Sequence, residues 1–220
     1  MEPTIRNELP EDYRKVEEIT RKAFWNLHFP GCDEHYLVHI MRNHPDFLPE
    51  LDFVLEKDGE VIGNIMYTKS SLTDDKGDHH EILTFGPVCI SPEHQRKGYG
   101  RQLILHSVEV ARSMGYPAIA IYGNPNNYVK LGFKSCKRYN ICNAAGAFPS
   151  ALMAMELQEG VLRSYGPGKL KYAESPVYAL DPKDAEAYDA SLEPMEKQEL
   201  PGQEVFFIMV QSSMSQDSQA

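Results

Sequence analysis

The residues with the most chemical potential lie in one run, Val88-Cys89-Ile90-Ser91-Pro92-Glu93-His94-Gln95-Arg96-Lys97-Gly98-Tyr99-Gly100. An apolar, strand-like segment gives way to a polar, basic loop with spaced glycines, and a helical pattern follows at once. Glycine permits close backbone approach and dihedrals that other residues avoid. The first-turn amides of a helix have no intrahelical acceptor, and the helix dipole favours an anion in front of them. Arg96, Lys97 and Arg101 add positive charge at the same place. Together these features suit a diphosphate. The loop is not a Walker loop, because GxxxxGK[ST] is absent. Nor is it a dinucleotide fingerprint, because Gly98-Tyr99-Gly100-Arg101-Gln102-Leu103 lacks the third glycine.

The charge distribution agrees with a small anionic ligand. The chain has 220 residues and a formal net charge of −10. Between His94 and Met155, however, eight lysines and arginines face a single acid, Glu109. The overall acidity argues against nucleic acid as a partner, whereas a local basic segment fits a compact anion. With 42% hydrophobic and 25% charged residues the composition is that of a globular protein. No apolar run approaches the ~18 residues of a membrane span, and the N-terminus has no secretory pattern. The four cysteines form no CxxC and no zinc pattern with the eight histidines. The expectation is structural thiols in a reducing, cytoplasmic compartment and no metal site.

The elements that must position the loop can be read from periodicity. Thr4–Arg6 is a short strand, and a helix opens at Pro10-Glu11-Asp12, with Tyr13, Val16, Ile19, Ala23 and Phe24 at helical spacing. A second helix covers Glu34–Met41. Strands at Leu51–Glu56, Val61–Leu72 and Ile82–Ile90 form an antiparallel meander, with an Asp58-Gly59 turn between the first two. A helix over Gly98–Met114 stops at Gly115-Tyr116-Pro117. Ala118–Tyr122 is a strand expected to pair in parallel with Ile82–Ile90. A helical turn at Asn127–Leu131, a strand from Phe133 and a strand at Leu152–Leu157 follow. Asp181–Ala190 reads as a helix and Val205–Val210 as a buried strand. Pro87, inside a strand-like run, predicts a bulge or splay.

At this point the sequence resembles a known family. Gln95-Arg96-Lys97-Gly98-Tyr99-Gly100 matches the Q/R-x-x-G-x-G/A signature of the GCN-five-related N-acetyltransferases (GNAT). Tyr128-Val129-Lys130-Leu131-Gly132-Phe133 is similar to that family's distal Y-x-K-L-G-F motif, and Thr4-Ile5-Arg6 with the following helix looks like its opening. Gly123-Asn124-Pro125 resembles a bacterial subgroup. The resemblance covers roughly residues 3–140. It implies an α/β fold with a mixed central sheet, antiparallel N-terminal strands and a splayed parallel pair at the cofactor site, flanked by helices. Residues 1–150 would be the acetyltransferase core. Residues 151–220 would be an extension packed on the same domain, with 212–220 disordered.

The resemblance also implies a reaction. Acetyl-CoA would donate its acetyl group to a primary amine on a small molecule or peptide, with no nucleic acid or membrane partner and with a homodimer left open. The cofactor would be held by the backbone of Val88, Cys89 and Ile90, by Gln95, Arg96, Lys97, Gly98, Tyr99, Gly100 and Arg101, and by Asn127. Tyr128 would protonate the leaving thiolate. Two family positions are not met: Ile121 stands where many members have asparagine, and Thr84 where some have a catalytic glutamate. Asn124, Asn126 or Asn127 could take the first role. For the base, Glu81 is the chosen candidate, with His79, His80 and a water relay as alternatives. A wall of Phe24, Trp25 and Phe29 could face the acceptor. The competing readings are a CoA-binding module without catalysis and a nucleotide-phosphate enzyme.

Overall fold

The structure is a computed structural model and describes residues 2–215. The first half of the chain forms β1 (Thr4–Asn7), α1 (Tyr13–Phe24), α2 (Glu34–Met41), β2 (Phe53–Lys57), β3 (Glu60–Thr73), β4 (His79–Ile90) and α3 (Tyr99–Ser113). Then come β5 (Ala118–Tyr122), α4 (Pro125–Tyr128), β6 (Lys134–Ser135), β7 (Ile141–Cys142), β8 (Phe148–Pro149) and β9 (Leu152–Glu156). The remainder is α5 (Val161–Ser164), β10 (Leu170–Ala173), α6 (Pro182–Ala190), α7 (Pro201–Gln211) and β11 (Ser213–Met214). The principal sheet has the strand order β1-β2-β3-β4-β5-β9-β6. It is mixed: β1–β2 and β2–β3 are antiparallel, and β4–β5 is parallel. The mixed α/β class expected from the sequence is the one observed.

The chain divides into two compact units, each discontinuous in sequence. The first comprises the chain up to Tyr67, Gly86–Ser107 and Pro176–Glu204. Its core forms where the amphipathic faces of α1 and α2 meet the sheet: Val16, Ile19, Val38 and Met41 pack with Val54, Met66 and Cys89. The start of α1 is set electrostatically. Asp12 accepts two bonds from the Arg6 guanidinium, at 2.6 and 3.0 Å, and one from the Leu9 amide at 2.9 Å. That clamp ties β1 to the helix that follows it.

The C-terminal part of this unit runs along the end of α1. Arg21 Nε donates to Asp189 at 2.8 Å, and the Trp25 indole donates to the Glu196 carbonyl at 2.8 Å. Asn26 Nδ2 donates to that same carbonyl at 2.9 Å. Trp25 is therefore a strapping residue.

The second unit comprises Thr68–Phe85, Val108–Ser175 and the chain from Val205. Here β5 pairs with β9 from Ala118↔Glu156 to Tyr122↔Leu152, and β10 pairs with the end of β3 from Lys171↔Thr73. Leu72, Ile82, Ala120, Leu152, Phe148 and Leu170 fill its core. Neither α5 nor β10 follows from periodicity, since the glycines and prolines around them hide short elements that only tertiary pairing stabilises.

One sequence expectation fails. Val205–Val210 is not a buried strand: it lies within α7, with Val205 67%, Phe207 56% and Ile208 57% exposed. A continuous apolar run carries no period, so strand and helix are indistinguishable within it. Pro201 at the first helical position, with fixed φ and no amide to lose, starts a helix. The disorder expected over 212–220 meets an ordered start, because Ser213–Met214 pairs with Phe148–Pro149. Residues 216–220 lie outside the described residues.

Candidate active site

The glycine loop belongs to the first unit, and its shape follows from its own hydrogen bonds. At the end of β4 the Ser91 amide donates to the Ile62 carbonyl at 2.8 Å. A 3-10 turn, Pro92–His94, then reverses the chain, with Ser91 Oγ 3.0 Å from His94 Nδ1. Gln95 Nε2 reaches back to the Ile90 carbonyl at 3.0 Å, and Lys97 Nζ donates to the Glu93 carbonyl at 2.8 Å. Gln95 and Lys97 thus hold the loop closed on itself. Arg96 and Arg101 make no ion pair among the described residues.

The backbone of the loop is left-handed at Arg96 (φ 59°) and at Gly98 (φ 87°). Alternation of such residues with ordinary ones turns successive amides toward one side, a nest for anions. The Gln102 amide donates to the Gly98 carbonyl at 3.1 Å, so α3 begins there and its first-turn amides face the loop. Open space lies where a Gly98 side chain would project. A Cβ at Gly63 would lie 2.5 Å from Ile90 Cδ1 and 3.0 Å from the Cys89 carbonyl oxygen, so β3 passes the end of β4 with no room for a side chain.

Val88, Cys89 and Ile90 end β4. The β4–β5 register is the single pair Leu83↔Ile119, and these three residues take no partner from β5 among the described residues. The Gly86–Pro87 peptide just before them is cis. Cys89 is buried, its sulfur 3.4 Å from Thr20 Oγ1, and burial pushes its thiol up to about 11. It is a packing thiol and not a nucleophile.

Tyr128 belongs to the second unit, at the end of a four-residue helix. Asn124 caps that helix, accepting from the Asn126 amide at 3.0 Å, and Pro125 occupies the first turn. The chain leaves through Gly132 at φ 105°. The Tyr128 ring is walled by Phe85 and Phe133, each with its centroid 5.9 Å away, the latter edge to face. A Cβ on Gly123 would sit 2.5 Å from Tyr128 Cε2. Burial pushes the phenol up to about 12, so it keeps its proton at neutral pH. Of the asparagines named above, Asn124 is spent on capping and Asn127 is exposed, while Ile121 is buried in β5.

The base candidates separate. Glu81 is 54% exposed at its side chain and lies 3.3 Å from Lys69 Nζ. His79 Nδ1 is 3.0 Å from Thr73 Oγ1; His80 lies 3.2 Å from Asp74 and stacks on Tyr165 at 3.8 Å. Both histidines fasten the start of β4. Thr84 is buried and donates to Ser70 Oγ at 2.9 Å, with the Tyr172 hydroxyl on its other side.

Beyond Tyr172 the structure brings in a residue that sequence reasoning missed. Burial pushes the Glu174 carboxyl above its ordinary value, although part of the residue meets solvent. Tyr122, whose ring is 6.0 Å from that of Tyr172, is pushed up to about 12 by burial and then by the Glu174 charge. No fixed spacing from the signature loop could have found Glu174, which follows β10, an element invisible in the sequence.

Among the described residues no group of histidine, cysteine and acidic side chains is placed to hold a metal, and no helix is long and apolar enough to cross a membrane. Two solved structures share the fold. A GNAT family N-acetyltransferase of Escherichia coli (YhbS) in complex with CoA is 22% identical, covering 81% of this chain and 92% of its own, with a TM-score of 0.67. A GNAT family acetyltransferase of Brucella melitensis in complex with acetyl-CoA is 22% identical, covering 80% and 98%, with a TM-score of 0.61. No curated protein sequence matches significantly. The model of the acetyltransferase (GNAT) family matches residues 11–133, a span that holds both the Gln95–Gly100 loop and Tyr128. With more than half of its length matched, the chain belongs to the GNAT acetyltransferase family.

Proposed function

We propose that this chain is an N-acetyltransferase that moves the acetyl group of acetyl-CoA to a primary amine on a small molecule or peptide. The observation that carries the reading is the loop Gln95–Gly100. Its left-handed Arg96 and Gly98, its Arg96 and Arg101 without an ion pair among the described residues, and the open space at Gly98 fit a diphosphate. The CoA and acetyl-CoA bound to the two similar structures support the same cosubstrate here.

Acetyl-CoA supplies an activated thioester; the chain supplies position and proton management. The amides of Val88, Cys89 and Ile90 bind the pantetheine arm as a missing strand would, and one of them polarises the thioester carbonyl. Asn127 adds a polar contact to the cofactor. Tyr128, kept protonated by burial, donates its proton to the departing sulfur. The acceptor amine must be neutral to attack. Glu174, its carboxyl raised above the ordinary carboxylate value by burial, is a better candidate base than Glu81, which faces Lys69 in solvent. The four free, buried cysteines suit a reducing, cytoplasmic setting.

A second reading is a CoA-binding module without catalysis, favoured by the buried Thr84 at the family's glutamate position. Calorimetry with acetyl-CoA tests the binding step shared by both readings. Wild type should bind and Gly98→Glu should not, because the variant places bulk and negative charge where the diphosphate approaches. Equal affinity in the two proteins would overturn the loop's role.

A further inference from the structure

The second unit contains an open cleft of about 590 Å³ whose lining includes none of the residues assigned to acetyl-CoA. Lys137 and Arg138 line it from the 3-10 turn Cys136–Tyr139, Arg163 from α5, and Lys169 from the approach to β10. Among the described residues no aspartate or glutamate lines it. In a chain of net charge −10, four cations around one cavity without a lining acid is a marked local imbalance.

Two carboxylates stand near the lining, and the charge of one of them, Glu156, reaches Tyr139. Glu156 accepts the Leu162 amide at 2.9 Å, and Asp75 lies against Gly168. Lys169 Nζ donates to the Gly146 carbonyl at 2.9 Å and sits 5.1 Å from the Phe148 ring centroid. A carbonyl oxygen fixes its ammonium group without neutralising it. Lys137 Nζ donates to the Ser215 carbonyl. Arg138 and Arg163 make no ion pair among the described residues and are exposed at the cleft. A guanidinium offers a planar fork of donors that matches phosphate oxygens. The walls between the charges are the half-buried ring of Tyr139 and the buried Phe148, and the volume lies within the usual range for a small ligand.

We propose that this cleft binds a small organic phosphate, its dianion held by Arg138 and Arg163 within the field of Lys169 and its organic body against Tyr139. The site is separate in residues from the acetyl-CoA loop, so a phosphate-bearing ligand can bind both, and the test must tell them apart.

The experiment is calorimetric titration of AMP and of inorganic phosphate at fixed ionic strength. It uses the full chain saturated with CoA, the Gly98→Glu protein, and an Arg138→Ala/Arg163→Ala protein. AMP is expected to bind the first two with similar affinity, tighter than inorganic phosphate. It should lose at least about tenfold in the double alanine protein, and circular dichroism should show that protein folded as wild type. A Lys169→Gln variant should weaken binding less than the double change. Absence of AMP binding to both the CoA-saturated and the Gly98→Glu proteins would overturn the proposal, as would undiminished affinity in the double alanine protein. Equal affinity for AMP and inorganic phosphate would overturn the role of Tyr139. If CoA itself fails to bind, the Gly98→Glu and double alanine arms still decide this proposal, while the acetyltransferase reading fails separately.

Discussion

The ring of Tyr128 lies so close over Gly123 that a methyl group on Gly123 would stand 2.5 Å from Cε2. Glycine at this position is therefore a condition for the phenol's place between Phe85 and Phe133. Gly123→Ala should displace the ring and lower kcat with a small effect on the KM for acetyl-CoA. Tyr128→Phe should lower kcat by roughly 10²-fold, within the range of general acid catalysis. Steady-state kinetics on both variants checks this. An unchanged rate in Tyr128→Phe, with the chemical step limiting, would reduce Tyr128 to packing.

Glu174 and Glu81 make opposite predictions. Glu174→Gln should lower kcat/KM at neutral pH and remove a limb of the pH–rate profile that lies above the ordinary carboxylate range. Glu81→Gln, in solvent beside Lys69, should leave the profile in place. Rate profiles for the two variants decide. A profile altered by Glu81→Gln alone would return the base to Glu81.

A stability effect follows from Asp52. Burial, and then its side-chain bond to Glu8, raise the Asp52 carboxyl far above the usual carboxylate range, and Asn64 Nδ2 donates to it at 2.9 Å. Glu8 is itself held by Arg42, with bonds of 2.8 Å to each carboxylate oxygen. The folded protein keeps the Asp52 proton at pH values where the unfolded chain has lost it. Stability is therefore lost as pH rises from the ordinary carboxylate pKa, about 4, through the raised native one. Asp52→Asn keeps both a donor toward Glu8 and an acceptor for Asn64. It should raise Tm at pH 8 by on the order of a few °C and do less at pH 5. Scanning calorimetry at the two values checks the sign; a fall in Tm at pH 8 would contradict it.

The acidity of one segment has a kinetic signature if that segment borders the acceptor. Between Pro176 and Glu204 eight acids face Lys183 and Lys197. Asp189 is paired with Arg21 at 2.7 Å, and the other seven make no ion pair among the described residues. If this charge steers a cationic acceptor such as a polyamine or a lysine-bearing peptide, kcat/KM for that acceptor should fall as salt rises. Insensitivity to salt, or a preference for neutral or anionic acceptors in a screen, would remove the steering.

The sequence carried the signature half of the site because its determinants are local. Gln95–Gly100 and Tyr128–Phe133 are short runs whose backbone needs, at Gly98 and Gly132, are written as glycine. Both parallel strands, β4 and β5, and the helix between them were legible from period and breakers. What was not legible depends on contacts distant in sequence. Glu174 follows β10, and the strap holds Arg21 through Asp189 and Trp25 through the Glu196 carbonyl. The apolar run of α7 has no period to read, and Pro201 decided its conformation. Gln95 and Lys97 look like ligand residues in sequence, yet their side chains close the loop through the carbonyls of Ile90 and Glu93.

The central claim is acetyl transfer, and the most direct measurement follows both products at once. Free CoA thiol and N-acetylated amine are quantified over a panel of primary amines, with wild type, Gly98→Glu and Tyr128→Phe run in parallel. The account predicts equal amounts of CoA and acetylated product from at least one amine with wild type. It predicts none with Gly98→Glu, and a rate about 10²-fold lower with Tyr128→Phe. Tight acetyl-CoA binding by wild type with no acetylated product from any amine would contradict it and leave a binding module in its place.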